Sequence, residues 1–271
     1  MYIQKSNNIL VPNPFIKHPL KNPLPMRNQY RVLSVALFLS FSTILQSGNG
    51  LMATPLKRYP STITLSAASL KFEATVSALY CDANLEESGL QREVFAFAYK
   101  GYLKLLEDHK IGKSNVITIC DFSQSSRNRR LYVVDLETRK ILINTYVAHG
   151  RRSGGEYAKS FSNKWSSHKS SLGFYVTEMT YTGKHGYAMK LHGLEKGFND
   201  KADRRNIVIH GSKYVGEGFL KSNKFNGRSF GCPAIPNSDV KEVIEDMKGG
   251  SCFFIYHPTK KYLQGSKILN S

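Results

Sequence analysis

Two side chains between His210 and Pro233, in the stretch HGSKYVGEGFLKSNKFNGRSFGCP, are of the kind that attacks a carbonyl carbon. Gly227-Arg228-Ser229-Phe230-Gly231 spells the G-x-S-x-G nucleophile elbow, and Gly231-Cys232 sets a thiol directly behind it. An elbow serine needs a sharp turn from a buried strand into a helix, with an acid and then a histidine following in the chain. Here the preceding GFLKSNKFN is polar and loop-like, Pro233 and Pro236 delay any helix to about Ser238, and His257 is the sole later histidine. A cysteine is the better nucleophile at neutral pH, provided an imidazole lies within hydrogen-bond reach. His210 closes the β-branched run NIVIHG, so its ring emerges at a strand end, and Gly211 lets the backbone turn there. Each residue has a plainer reading: a lone histidine is commonly a solvated or core side chain, and a cysteine between glycine and proline a buried turn residue. Their pairing favours Cys232 as nucleophile and His210 as its base over Ser229.

The rest of the chain limits the alternatives. No H-E-x-x-H, H-x-H or C-x-x-C spacing occurs, so no metal site is expected, and no cofactor. The formal charge of +18, from 38 Lys plus Arg against 20 Asp plus Glu, invites a polyanionic partner. The basic residues are scattered, with no zinc-finger spacing, RNA-binding aromatic signature or basic helix, so nucleic acid is not the expected partner. Near the N-terminus, Arg27 and Arg31 precede the uncharged run Val32–Leu45 (VLSVALFLSFSTIL), which small and polar residues follow. That run is shorter than the ~20 residues of a spanning helix, so it reads as a secretory signal with a probable start at Met26 and cleavage near Gly50 or Ala53. Membrane contact is then transient, through this segment only, and the protein is exported to the periplasm or cell envelope. Four cysteines are too few for a disulfide scaffold. Cys120 and Cys252 lie in strand-like runs and read as buried apolar residues, and Cys81 is a possible partner for Cys120.

The elements that must position the pair follow from periodicity. Residues 1–53 form an N-terminal extension with the signal segment, 54–67 a polar linker, 68–112 a helical segment and 113–265 the catalytic domain. In SGLQREVFAFAYKGYLKLLEDHK, Ser88 and Gln91 have capping-box spacing, and Val94, Phe97, Ala98, Gly101, Tyr102 and Leu105 form one helical face. A partner helix is expected around Leu70 to Tyr80. From Val116 the period changes to that of strands: VITICDF, RLYVVDL, KILINTYVAHG, LGFYVT, YAMKLHG, NIVIHG and SCFFIYH. Seven short strands without long helices between them predict a mostly β sandwich or barrel. One helix after Cys232 is expected, capped by Asn237 or Ser238, buried through Val240, Val243, Ile244 and Met247, and ended by Gly249-Gly250.

With these residues in place, the chain resembles the murein L,D-transpeptidase catalytic domains, cysteine enzymes of bacterial cell walls. The family's usual signature is an H-G pair and, downstream, S-H-G-C followed by a small hydrophobic residue and an arginine. IVIHG (207–211) and RSFGCPA (228–234) fill those places, in the manner of a divergent branch with an aromatic before Gly-Cys and a proline after it. TICDFSQSS, RLYVVDLETRKILINTYVAHG, SSLGFYVT and GKHGYAMKLHGLEKGFND extend the likeness over roughly residues 72–257. The resemblance implies two-step acyl transfer on peptidoglycan stem peptides. Cys232 attacks the carbonyl before the fourth, D-configured residue, D-alanine leaves, and an acceptor amine or water resolves the thioester. It further implies that His210 moves the protons, the Gly211 carbonyl orients the imidazole, and backbone N–H groups around Gly231 and Cys232, beside Ser229, form the oxyanion hole. Phe230 cannot make the hydrogen bonds of the usual histidine, and no arginine follows Cys232, so Arg228 is the candidate for a carboxylate-binding or structural role. A family-like sheet would also bring His149, and with it Tyr187, towards the substrate cleft. The alternatives are an L,D-carboxypeptidase or endopeptidase, and a non-catalytic wall-binding module.

Overall fold

A computed structural model describes residues 66–184 and 186–271. The signal segment, most of the linker and His185 lie outside the described residues. Helix α1 (Ala67–Asp82) starts where the Ser66 hydroxyl accepts from the Ser69 N–H at 3.1 Å, and buries Val76, Leu79 and Tyr80. Helix α2 (Arg92–Glu107) buries Val94, Phe95, Ala98, Gly101, Tyr102 and Leu105, while Phe97 of the expected stripe is half-buried. The capping box does not form: Gln91 is the N-cap without a side-chain bond, and the Ser88 hydroxyl donates to the Asn84 carbonyl at 3.2 Å. Gly89 is the reason, since its φ of +84° turns the chain between the two residues.

The strand-like runs form β1 (Val116–Asp121), β2 (Leu131–Asp135), β3 (Lys140–Thr145), β4 (Gly173–Gly183), β5 (Gly186–Gly193), β6 (Val208–Ser212), β7 (Ala234–Pro236) and β8 (Cys252–Tyr256). They make one eight-stranded sheet in the order β3-β2-β1-β8-β4-β5-β6-β7. The pairs β1·β8 and β6·β7 are parallel and the others antiparallel. β1, β2, β6 and β8 are buried at every position, the signature of strands covered on both faces. Beyond β3 the chain bridges to β7, with Ala148 N–H donating to the Ala234 carbonyl at 2.8 Å, so the two sheet edges meet and the sheet nearly closes. The molecule is thus mostly β, with helices at its N-terminal end and after Cys232, as the sequence predicts.

The helical segment and the sheet share one hydrophobic core that reaches from Val76 to Leu269. Phe174 of β4 stacks on Phe254 of β8 at 4.1 Å between ring centres. A fully buried phenylalanine of this kind contributes about 1.5–3 kcal/mol. Gly101 lets α2 lie directly on Phe174, since a Cβ there would fall 1.9 Å from the ring. After β6 comes a single turn, α3 (Glu217–Leu220). Helix α4 (Val240–Met247) is preceded by Asp239, not by Asn237 or Ser238, and buries Val243, Ile244 and Met247. Gly249 and Gly250, at φ +102° and +83°, end it. A C-terminal helix, α5 (Lys260–Gly265), is held by Glu195, whose carboxylate accepts from the Tyr262 hydroxyl at 2.9 Å and the Phe174 N–H at 2.8 Å. All four cysteines are free, with Cys120 and Cys252 buried and Cys81 exposed, so the Cys81–Cys120 pairing is not made. No helix among the described residues is long and apolar enough to cross a membrane.

Candidate active site

β6 and β7 set His210 and Cys232 side by side. His210 is in register with Ala234 across the parallel β6·β7 pair, and Cys232 lies two residues ahead of Ala234, at the approach to β7. Residues two apart along an extended chain share a face, so thiol and imidazole project from the same side. The opposite side is closed by α4: a Cβ on Gly211 would fall 2.6 Å from the Asn237 side chain and 3.4 Å from Val240. The buried His210 ring holds Nδ1 2.9 Å from the Gly211 carbonyl oxygen. A carbonyl only accepts, so Nδ1 carries the proton and Nε2 is the basic nitrogen of the neutral ring.

The Cys232 thiol is half-buried and donates to the Asn206 carbonyl at 3.5 Å. Burial pushes its pKa up, while the Val208 N–H and the Arg205 guanidinium act in the other direction. The resting sulfur is therefore a protonated thiol that needs a base, not a standing thiolate.

Ser229 has a different part from the one its motif suggests. Its hydroxyl accepts from the Gly231 N–H at 3.0 Å and donates to the Cys232 carbonyl at 2.6 Å. Its main chain pairs with the segment after β3, its N–H donating to the His149 carbonyl at 3.0 Å. Both partners of the hydroxyl belong to the turn that carries the thiol, so Ser229 pins that turn. No helix follows it, and His257 is bonded elsewhere, to Thr259 at 2.8 Å, so the elbow context is absent. The same pin corrects the expectation for Gly231: its N–H is committed to Ser229 and does not point into an oxyanion hole. Gly231 itself adopts φ +132°, and a Cβ there would meet the Lys169 carbonyl at 2.9 Å and Arg205 Nη2 at 3.1 Å.

Three other expected residues lie away from the thiol. His149 is fully buried, with Nδ1 2.8 Å from Arg130 Nη2 and its ring edge-on to Phe122. Arginine only donates, so Nδ1 accepts and Nε2 carries the proton, facing the Gly154–Gly155 main chain without a well-formed bond. Burial, then the Arg130 charge, lower its pKa to about 3. His149 is a neutral core histidine out of reach of substrate, not a cleft residue. Tyr187 adjoins Ala188, the residue paired with His210, and so points to the opposite face, where its hydroxyl donates to Glu245 of α4 at 2.7 Å. Arg228 is exposed, donates to the Gly154 carbonyl at 3.1 Å and, with Arg151, lines a separate recess.

The residues that the sequence did not single out are Arg205 and Asn206. Arg205 donates to the carbonyls of Ser162 at 2.7 Å and Lys169 at 2.6 Å, and to the hydroxyls of Ser167 at 3.2 Å and Ser171. It thereby fixes the loop 162–171 against Gly231. Arg205, Asn206, Trp165, Ser166, His168 and Phe230 line a recess of about 220 Å³ beside the thiol. The only available sequence signal is the basic pair Arg204-Arg205 just ahead of the histidine strand. Among the described residues, Glu178, His192 and Asp203 bring ligand-type atoms within 4.8 Å of one another. They are exposed or half-buried, and His192 Nδ1 lies 2.7 Å from Asp203 and 3.7 Å from Glu178.

Comparison with known proteins agrees with the residue pattern. No curated protein matches the sequence. Among solved structures, an L,D-transpeptidase from Mycobacterium smegmatis matches at 9% identity and TM-score 0.34, over 53% of this chain and 59% of that one. A helical cell shape determining protein from Campylobacter jejuni matches at 14% identity and TM-score 0.37, over 63% and 62%. An L,D-transpeptidase from Stackebrandtia nassauensis matches at 16% and 0.32, over 62% and 68%. The chain thus spans about three-fifths of the length of the first of these. The family model for the L,D-transpeptidase catalytic domain matches residues 86–256, a span that takes in α2, all eight strands and both Cys232 and His210. By that match, the chain belongs to the L,D-transpeptidase catalytic domain family.

Proposed function

We propose that the protein is an exported cysteine acyltransferase of the cell wall, an L,D-transpeptidase acting on peptidoglycan stem peptides. The observation that carries this reading is the placing of Cys232 and His210 on one face at the meeting of β6 and β7, with the imidazole oriented by the Gly211 carbonyl. On substrate binding the Cys232 thiol leaves the Asn206 carbonyl and gives its proton to His210 Nε2 as sulfur attacks the carbonyl carbon preceding the D-residue. His210 returns that proton to the departing amine, the C–N bond breaks, and D-alanine leaves a thioester on Cys232. The amine of a second stem peptide attacks the thioester, its proton passes to His210, and the C–S bond breaks to regenerate the thiol. With Gly231 N–H held by Ser229, Cys232 N–H is the nearby main-chain donor for the developing oxyanion.

Intact-mass measurement after incubation with a disaccharide tetrapeptide or a carbapenem, followed by peptide mapping, tests the reading. An adduct on the Cys232 peptide, absent in Cys232→Ala and lost or greatly slowed in His210→Ala, is expected. Folded, reduced protein that forms no adduct with either reagent refutes it. A tripeptide product without a crosslinked dimer would instead assign hydrolysis, with water as the acceptor.

A further inference from the structure

The largest cavity among the described residues is not the recess beside Cys232. It is a cleft of about 680 Å³, within the size range of ligand sites, formed by residues 159–164, the 196–201 turn and α5. Five lysines rim it: Lys159, Lys164, Lys196, Lys201 and Lys261. All five are exposed, and none takes part in an ion pair or a side-chain hydrogen bond among the described residues. Asp200 is the one acidic residue of the lining, and its carboxylate is committed to the Gly197 N–H at 2.6 Å and Asn163 Nδ2 at 2.7 Å. Like charges gathered round a cavity repel one another, and a concave wall of one sign concentrates its field on whatever enters. The floor is apolar, built from Leu172, Phe161 and Phe198.

No arginine lines the cleft, so it offers point charges and not the flat fork that grips phosphate in two bonds. Point charges above an apolar floor suit a chain whose carboxylates are spaced along aliphatic segments. The position of the cleft adds to this. Residues 159–164 belong to the same loop whose continuation, Trp165, Ser166 and His168, lines the recess by Asn206 and the thiol. Arg205 bonds to Ser162 on the cleft side and to Lys169 on the thiol side.

We propose that this lysine-rimmed cleft is a second binding site, which holds a carboxylate-bearing peptide strand of the wall alongside the strand acylated at Cys232. This inference rests on the acyl-transfer reading for its substrate but uses residues outside the catalytic set. The test uses the full chain carrying Cys232→Ala, and measures its retention on purified sacculi as salt is raised. Against it are set a cleft variant, Lys196→Gln with Lys201→Gln and Lys261→Gln, and a control of equal charge, Lys71→Gln with Lys110→Gln and Lys221→Gln. The cleft variant should lose about tenfold in retention at low salt and most of the salt dependence, as expected when a focused field is removed. The control should lose no more than about twofold, as expected for scattered surface charges. Poly-glutamate should displace the parent from sacculi better than polyphosphate of equal charge. Equal losses in the two variants, or stronger displacement by polyphosphate, overturn the proposal. Carbapenem acylation at intact Cys232 separates the two readings. Normal acylation with cleft-independent retention refutes the cleft alone, whereas absent acylation with cleft-dependent retention refutes acyl transfer and supports the cleft.

Discussion

Ser229→Ala distinguishes a turn pin from a nucleophile. The hydroxyl, on a residue only 4% exposed, satisfies two main-chain groups, the Gly231 N–H at 3.0 Å and the Cys232 carbonyl at 2.6 Å. A buried polar group left without a partner costs about 1–3 kcal/mol, so stranding both costs about 2–4 kcal/mol after partial relaxation. For a domain of this size about 2–4 °C of Tm is lost per kcal/mol, which predicts a fall of about 5–15 °C. Because the stranded groups flank the thiol, the turn that aims it should loosen, and acylation by a carbapenem should slow by about 10²-fold. The adduct that does form should still map to Cys232. Calorimetry gives the first quantity, and the rate of mass increase by stopped-time mass spectrometry gives the second. Unchanged Tm and unchanged rate would show that the hydroxyl holds nothing. A parent adduct on Ser229 that vanishes in Ser229→Ala, with Cys232 never modified, would restore the serine elbow and refute the geometry argued above.

Gly231→Ala should be worse than Ser229→Ala for acylation, because its φ of +132° disfavours any Cβ and the Lys169 carbonyl stands 2.9 Å from where it would go; a normal acylation rate in that variant would contradict the close approach. His149 titrates at about 3 in the folded protein, against about 6.5 unfolded, so the unfolded state takes up the proton first. Stability should be full above pH 6.5 and fall towards pH 3 by up to about 1.4 kcal/mol per pH unit from this group. Urea midpoints from pH 4 to 7 should show a shallower slope in His149→Gln, and an identical slope would mean that another group is responsible. Arg205→Met removes the cation that opposes the burial-driven rise of the Cys232 pKa, so iodoacetamide alkylation of Cys232 should shift to higher pH, and Arg205→Lys should shift it less. Superimposed rate–pH curves for all three proteins would dismiss Arg205 as a tuner of the thiol.

Most strands were legible because β-branched and aromatic runs, bounded by turn residues, leave few other readings. β7 was not, since three residues ending in Pro236 lack the length and the N–H of an ordinary strand; a proline is tolerated there because β7 borders the sheet. Ser88 and Gln91 show the converse failure: the spacing was right, but Gly89 broke the geometry it depended on. In the site, residue type and chain distance were enough to suggest Cys232 with His210. They could not assign Tyr187 or His149, because the side of the sheet on which Tyr187 emerges depends on register, and His149 is buried by Arg130, a residue nineteen positions earlier in another strand connection. Arg205 was hidden for a similar reason. Its acceptors lie up to 43 positions away in a loop whose path no local pattern encodes.

Departures from the usual family motif acquire a physical explanation at this point. Where the common signature has histidine, Phe230 stands exposed with the His168 ring edge-on at 4.7 Å and the Arg151 guanidinium over its face at 4.6 Å. An aromatic ring has no hydrogen bond to give, but its face attracts a cation, so Arg151 is retained at the rim of the site by another force. Where the signature has arginine after the cysteine, this chain continues Pro233-Ala234 into β7, whose pairing with His210 an outward-reaching charged side chain could not replace. The positive charge nearest the thiol comes instead from Arg205 on the far side of the turn, fixed by four acceptors in the 162–171 loop. A guanidinium so restrained cannot swing into solvent as an exposed one would, and its field at the sulfur therefore depends on that loop staying in place. The loop, in turn, forms one wall of the lysine-rimmed cleft, so anything bound there would bear on the same contacts that hold Arg205 against the cysteine turn.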